Sequence, residues 1–128
     1  MNRVRSAGGC STWTFSSAGH PPPLLLRDGT VETLAFTPGP PLGSNLRRKP
    51  FEETEVKLVS GDVLVLFTDG VVERRGESID VGIDRLRNVL PTIDTGGDLN
   101  DLARSTITDL AGDHPSDDTA IVIAHFAT

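Results

Sequence analysis

The sequence predicts an α+β fold in which helices lie on one side of a mostly antiparallel sheet. The first half of the chain carries short apolar segments separated by glycine, proline and aspartate, a pattern typical of strands and turns. Two segments in the second half repeat apolar residues at helical spacing. A last apolar segment returns to a strand pattern, so the chain is expected to come back to the sheet.

The first strands are predicted around a short proline-rich connection. Residues 12–18 (TWTFSSA) alternate large and small side chains, as a strand does. Residues 24–27 and 31–36 flank an Asp-Gly dipeptide, which is typical of a β-hairpin. We expect these three segments to form a β-meander. Residues 1–11 show no such pattern and are predicted to be a disordered N-terminal segment.

Two further strands are predicted, and an acidic residue follows the end of the second one. Residues 54–59 alternate and predict an edge or half-buried strand, whereas residues 63–67 (VLVLF) are continuously apolar and predict a strand buried on both faces. Asp69 and Gly70 follow this run almost at once. Acidic residues are poor strand formers and are costly to bury unpaired. Asp69 is therefore expected to be either a turn-former or a ligand.

The two helical segments have recognisable ends. In the first, Asp80 is the expected N-cap and Pro91 ends the helix. The second spans residues 98–111, with Asp98 as its N-cap. Their apolar faces comprise Ile83, Leu86, Val89 and Leu90 in the first, and Leu99, Leu102, Ala103, Ile107 and Leu110 in the second. Residues 119–125 (TAIVIAH) form the last predicted strand.

Length and composition limit the function. The 128 residues, 37% of them hydrophobic, suffice for about one domain. A net charge of −6 argues against a nucleic-acid partner, because an acidic chain gains nothing from releasing phosphate counterions. Cys10 is the only cysteine, so there is no disulfide framework. No apolar run approaches the roughly 20 residues of a membrane span. The basic N-terminus is not followed by the apolar segment of a secretory signal. We therefore expect a cytoplasmic protein without a membrane partner.

Acidic residues at the ends of two strands form the candidate site. Asp69 follows one buried strand, and Asp117 and Asp118 precede the last one. If these strands are antiparallel neighbours, the carboxylates meet at one end of the sheet, where a cation would relieve their repulsion. Mg²⁺ or Mn²⁺ suits such an oxygen-only site, and Gly70 would let the backbone turn sharply and leave room for water. On spacing alone, ordinary aspartate turns explain the same residues, and that interpretation is favoured.

Four segments nevertheless occur in the order of a known family. SSAGHPPPLLLRDGTVE, GPPLG, EVKLVSGDVLVLFTDGVVERRG and SDDTAIVIA resemble bacterial metal-dependent serine/threonine phosphatases of the PPM type (protein phosphatase 2C-like), typified by the stage II sporulation protein E phosphatase domain. The resemblance covers residues about 12–125 and favours metal ligands over turns. It implies that residues 12–128 are the C-terminal part of such a domain, a partial αββα sandwich of antiparallel sheets with flanking helices.

The resemblance also implies a chemistry. A metal-activated water would hydrolyse phosphoserine or phosphothreonine on a regulatory protein, such as an anti-sigma-factor antagonist, with Mn²⁺ or Mg²⁺ as cofactor. By motif, Asp69 and Asp117 would ligate the metal, Asp118 would fix Asp117, and Gly70 is the glycine that the motif needs. His20 and Arg74 are candidate substrate contacts. For His20, a role in shaping the hairpin is the preferred interpretation. For Arg74, a contact with a phosphate oxygen and an ordinary charge on an exposed turn explain the residue equally well.

The chain departs from the family pattern in its N-terminal part. Family members carry, before the hairpin, a Gly-Gly-Asp segment whose acid bridges two metals. The sequence GGDLND at residues 96–101 imitates that segment, but it begins a predicted helix, where Asp98 is better explained as an N-cap. The alternative function is therefore a catalytically dead remnant or truncated fragment that acts as an interaction module. Uncovered sheet surface would then favour self-association.

Overall fold

The computed structural model describes residues 3–7, 10–17, 19–34, 52–92, 96–111 and 119–126. Its strands are β1 (Arg3–Ala7), β2 (Cys10–Phe15), β3 (Leu24–Arg27), β4 (Thr30–Thr33), β5 (Thr54–Val59), β6 (Val63–Phe67) and β7 (Ile121–His125). Its helices are α1 (Asp69–Val72), α2 (Ile79–Val89) and α3 (Leu99–Ala111), with a 3-10 turn at Leu90–Thr92. The described part therefore mixes helix and sheet, as predicted.

The strands form two antiparallel sheets. One has the order β1-β2-β5 and the other has the order β4-β3-β6-β7. The expected architecture of antiparallel sheets with flanking helices is confirmed, but the β-meander is wrong, because β2 and β3 lie in different sheets. Prolines at positions 21–23 explain the difference, since they remove amide donors from the connection and prevent a hairpin between β2 and β3.

The four-stranded sheet is covered on both faces. Along β6, Val63, Val65 and Phe67 belong to the apolar cluster that packs against the helices. Leu64 and Leu66 alternate with them and pack into the cluster between the two sheets. The prediction that β6 is buried on both faces is therefore confirmed, and this double burial explains its continuous apolar sequence.

Two apolar clusters hold the layers together. The cluster between the four-stranded sheet and the helices contains Leu24, Leu26, Val31, Val63, Val65, Phe67, Val71, Val72, Leu86, Leu90 and Leu110. The cluster between the sheets contains Trp13, Phe15, Leu25, Leu34, Leu58 and Leu64. Within it, the rings of Trp13 and Phe15 stack with their centroids 4.4 Å apart. The described layers are thus sheet, sheet and helix.

Strand β1 lies where the sequence predicted no regular structure. Arg3–Ala7 pairs with β2 in a register that runs from Arg3 opposite Thr14 to Ala7 opposite Cys10. The short segment RVRSA has little apolar alternation of its own, so its strand conformation depends on the neighbouring strand. The boundary of the domain near residue 12 stays a prediction.

The local turn and helix signals are mostly confirmed. Asp28 and Gly29 have positive φ angles of 51° and 76° and join β3 to β4, as expected of an Asp-Gly hairpin. Helix α2 has Ser78 at its N-cap position, so Asp80 lies in the first turn instead. Pro91 lies in the 3-10 turn that follows α2. No helix within the described ranges combines the length and apolar character of a bilayer span.

An ion pair links the two sheets at the start of β6. The buried carboxylate of Asp62 accepts hydrogen bonds from Arg27 Nε (2.9 Å) and Nη2 (2.6 Å) and from the Val59 amide (2.9 Å). Arg27 Nη2 also donates to the Lys57 carbonyl on β5 (2.9 Å). Burial raises the pKa of Asp62, but the bonds from Arg27 and Val59 and the Arg27 charge outweigh it, so the pKa lies below its usual value.

Candidate functional site

Asp69 lies at the opposite end of β6 from this ion pair. The strand ends at Phe67, and Asp69 begins the short helix α1 after Thr68. The Asp69 carbonyl accepts a hydrogen bond from the Glu73 amide (2.8 Å), while its side chain is exposed. Among the described residues, the Asp69 carboxylate makes neither a capping hydrogen bond nor an ion pair. A rigid buried strand therefore holds an exposed carboxylate that remains able to bind a ligand.

Gly70 follows a different path from the one expected. The sequence suggested a sharp turn away from the strand, but Gly70 is buried inside α1 and does not have a positive φ. Val71 and Val72 explain this, because both are buried against the helices and draw the segment into a helical turn. The backbone reverses after α1 instead, where Gly76 has a φ of 84°.

The ends of β6 and β7 meet beside Asp69. These strands are antiparallel neighbours, with Phe67 opposite Ile121, as the candidate site requires. The pairing continues past the strands, because the Thr68 amide donates to the Ala120 carbonyl (3.0 Å) and the Ala120 amide donates to Thr68 Oγ1 (2.9 Å). The start of β7 is therefore fixed one residue from Asp69. Asp117 and Asp118 lie outside the described residues, so their convergence with Asp69 stays a prediction.

A cavity opens between the sheets at the same end. Its volume is about 340 Å³, and Thr68, Ala120 and His20 line one part of it. Trp13 and Leu66 form part of its apolar wall. His20 is exposed, and its carbonyl accepts a hydrogen bond from Ser17 Oγ (3.4 Å). The structure therefore places His20 on the cavity that adjoins the Asp69 segment, while its contact with a substrate stays a prediction.

Arg74 has a structural partner that the sequence did not reveal. Its Nε and Nη2 atoms both donate to the Leu110 carbonyl in the last turn of α3, at 3.0 and 2.6 Å. A cation at a helix C-terminus satisfies a free carbonyl and offsets the helix dipole. The side chain thus joins the segment after α1 to α3 across 36 residues of sequence, and its proposed contact with phosphate stays untested.

Asp98 is an N-cap, as predicted. Its Oδ1 atom accepts hydrogen bonds from the amides of Asn100 (2.7 Å) and Asp101 (3.4 Å) at the start of α3. The Asp98 carbonyl accepts from the Leu102 amide (3.1 Å). Helix capping therefore accounts for the GGDLND sequence. Within the described ranges, no three or more metal-binding side chains of the His, Cys, Asp and Glu types cluster together.

Comparison with known proteins gives a consistent family signal. Residues 9–127 match the model of the family described as stage II sporulation protein E (SpoIIE). A structure of the RsbU and RsbW domains of a Mycobacterium tuberculosis protein is 29% identical, with a TM-score of 0.63, and the match covers 80% of this chain and 28% of that one.

Two further structures share the fold. A manganese-presoaked structure of the SpoIIE phosphatase domain from Bacillus subtilis has a TM-score of 0.63 and 16% identity, over 99% of this chain and 56% of that one. A serine/threonine phosphatase from S. agalactiae has a TM-score of 0.55 and 15% identity, over 97% and 57%. The present chain spans less than two thirds of each of these three structures.

Proposed function

This chain belongs to the stage II sporulation protein E family, and from that premise we propose that it forms part of a metal-dependent phosphatase site for phosphoserine or phosphothreonine. The observation that carries the proposal is Asp69. Its exposed carboxylate follows a strand buried on both faces and lies beside the fixed start of β7. This is the position that the family motif gives to a metal ligand.

The chemistry of the donors fits a hard divalent cation. Asp69 offers carboxylate oxygens, and Asp117, which precedes β7 in the sequence, would offer a second set. Oxygen-only ligands are those that Mg²⁺ and Mn²⁺ prefer. The Asp69 carboxylate is not neutralised by a basic side chain among the described residues. Asp118 would hold Asp117 in place, and the buried Gly70 would anchor α1 behind the site.

The residues around the site would position the substrate. When bound, the cation would supply an activated water and neutralise charge on the phosphoryl oxygens. The β6–β7 pairing would hold Asp69 close to the segment that leads into β7. The phosphorylated segment would lie along the cavity that His20 lines, so His20 could donate a hydrogen bond to it.

A phosphorylated regulatory protein is the proposed substrate. The structures similar to this chain include an RsbU domain and the phosphatase domain of the cell fate determinant SpoIIE. By the resemblance, an anti-sigma-factor antagonist in the cytoplasm is the expected kind of protein. The acidic net charge of −6 disfavours nucleic acid as a partner.

Hydrolysis of p-nitrophenyl phosphate and of a phosphoserine peptide by the purified chain tests this proposal. We expect turnover with Mn²⁺ and none with EDTA. Asp69→Ala should lower turnover at least roughly 100-fold, since even outer partners of metal ligands contribute about 10–100-fold. Asp98→Ala removes an acid of the same type that caps a helix and should retain activity. Metal-independent turnover, or full activity in Asp69→Ala, would refute the proposal.

A further inference from the structure

Helix α1, which begins with Asp69, is too short to fix its own position. It has four residues, and the hydrogen bond that closes it runs from the Glu73 amide to the Asp69 carbonyl (2.8 Å). Isolated helices shorter than about 12–15 residues are marginal in water, because they have few hydrogen bonds for the residues that they order. The elements that pack against α1 must therefore set its path, and with it the position of the Asp69 side chain.

The start of α1 is fixed by the strands and its end by burial. The Thr68 amide donates to the Ala120 carbonyl (3.0 Å), and the Ala120 amide donates to Thr68 Oγ1 (2.9 Å). This pairing ties the residue before α1 to the start of β7. At the other end, Val71 and Val72 are buried in the cluster between the four-stranded sheet and the helices. Asp69 therefore lies between a fixed strand end and a buried helical turn.

Gly82 on α2 lies directly against that turn. A Cβ added to Gly82 would lie 2.7 Å from the carbonyl carbon of Val72 and 2.9 Å from the Val72 Cβ. Carbon atoms in contact lie about 3.5–4.0 Å apart, so an alanine here would force the two backbones apart by roughly 1 Å. The absence of a side chain on Gly82 is therefore what allows α2 to lie on the end of α1.

Of the two helices, α1 is the one that would yield to this separation. Helix α2 has 11 residues, and its Leu86 side chain is fully buried. Arg87 also ties α2 to β4, because it donates to the Val31 carbonyl (3.2 Å) and to Thr33 Oγ1 (3.1 Å). These contacts hold α2 to the sheet independently of α1. An added side chain would therefore move α1 and the Asp69 segment.

We propose that Gly82 is a positioning residue for Asp69, an inference that rests on the proposed function of Asp69 as a metal ligand. It acts through Val72, since the close approach of α2 holds α1 in the turn that sets the direction of the Asp69 side chain. Binding groups must be held within about 0.5 Å of their productive geometry, and the displacement at Val72 exceeds this. Because Asp69 adjoins the fixed Thr68, the effect should lie near the lower end of the about 10–100-fold range for outer partners of metal ligands.

Mn²⁺ binding tests the consequence for the site, with the free Mn²⁺ signal measured by electron paramagnetic resonance at a temperature where the variants are folded. Gly82→Ala should bind Mn²⁺ about 10-fold more weakly than the wild type. Gly29→Ala is the matched control. Gly29 has a φ of 76°, so alanine is strained there and also lowers stability, but no atom of the described part lies within 4 Å of the added Cβ. Wild-type affinity in Gly82→Ala, or equal loss in both variants, would overturn the proposal.

Amide hydrogen exchange without metal tests the positioning of α1 separately from the proposed function. The Glu73 amide, whose bond closes α1, should exchange several-fold faster in Gly82→Ala than in Gly29→Ala. Equal exchange of the Glu73 amide in the two variants would contradict the positioning role. If the wild type binds no Mn²⁺ while Glu73 exchange responds as stated, the proposed function fails and the positioning of α1 by Gly82 stands.

A second variant loosens the same contact from the side of α1 and serves where Gly82→Ala does not fold. Val72→Ala keeps the backbone but removes part of the buried side chain that holds α1, so it should also weaken Mn²⁺ binding and speed Glu73 exchange. Val31→Ala truncates a valine of the same cluster on β4 and should change neither. Equal behaviour of the two valine variants would refute the role assigned to the contact between α1 and α2.

Discussion

Replacing Asp62 with alanine should destabilise the fold by removing the link between the two sheets. The buried carboxylate accepts three hydrogen bonds, two from Arg27 and one from the Val59 amide. The backbone bond contributes about 1 kcal/mol. The Arg27 side chain is 39% exposed, so solvent screening reduces its two bonds to about 0.5–1 kcal/mol each. The expected loss is about 2–3 kcal/mol in the free energy of unfolding.

Urea denaturation followed by circular dichroism measures this loss. The midpoint should fall while the slope with denaturant stays the same, because the folded state loses stability and not compactness. Asp84→Ala is the matched control, since Asp84 is an exposed aspartate on α2 and should change stability by less than about 0.5 kcal/mol. If Asp62→Ala is as stable as this control, Asp62 does not hold the sheets together.

Three further predictions concern substitutions at Asp62, Gly82 and Arg74. The pKa of Asp62 is lower in the folded state than in the unfolded state. The Asp62 carboxylate therefore stabilises the fold above about pH 4, and this stabilisation is lost as the pH falls through the folded pKa. Asp62→Asn should flatten the acid limb of a plot of stability against pH. Gly82→Ala should lower the melting temperature by several degrees, because the new Cβ would lie only 2.7 Å from the carbonyl carbon of Val72 and would overlap that carbonyl group. An unchanged melting temperature would contradict this packing. Arg74→Ala should cost about 1–2 kcal/mol in urea unfolding by freeing the Leu110 carbonyl, and a neutral effect would show that this cap is dispensable.

The sequence predicted elements whose signal is local. The bounds of β3, β5 and β6 agree with the predictions, because continuous or alternating apolar residues between turn residues mark them directly. The Asp28-Gly29 hairpin and the Asp98 cap were predicted for the same reason, since each depends on residues within a few positions.

The features that the sequence missed depend on distant partners. β1 is a strand because β2 pairs with it, and β2 leaves the sheet of β3 because prolines separate them. The ion pair of Asp62 needs Arg27, which is 35 residues away in the sequence. Arg74 looked like an exposed charge, but the end of α3 folds back onto it. Of the candidate site, the two strands are antiparallel neighbours, as the site requires, whereas the helical path of α1 depends on the burial of Val71 and Val72.

Binding of Mn²⁺ to the wild-type chain and to two aspartate variants tests the central assignment most directly. Loss of the free Mn²⁺ signal in electron paramagnetic resonance would report binding without requiring turnover. We predict that the wild type and Asp98→Ala bind Mn²⁺ with the same affinity and that Asp69→Ala binds at least about 10-fold more weakly. Equal affinity in Asp69→Ala, or loss of binding in Asp98→Ala alone, would contradict the assignment of Asp69 as the metal ligand at the end of β6.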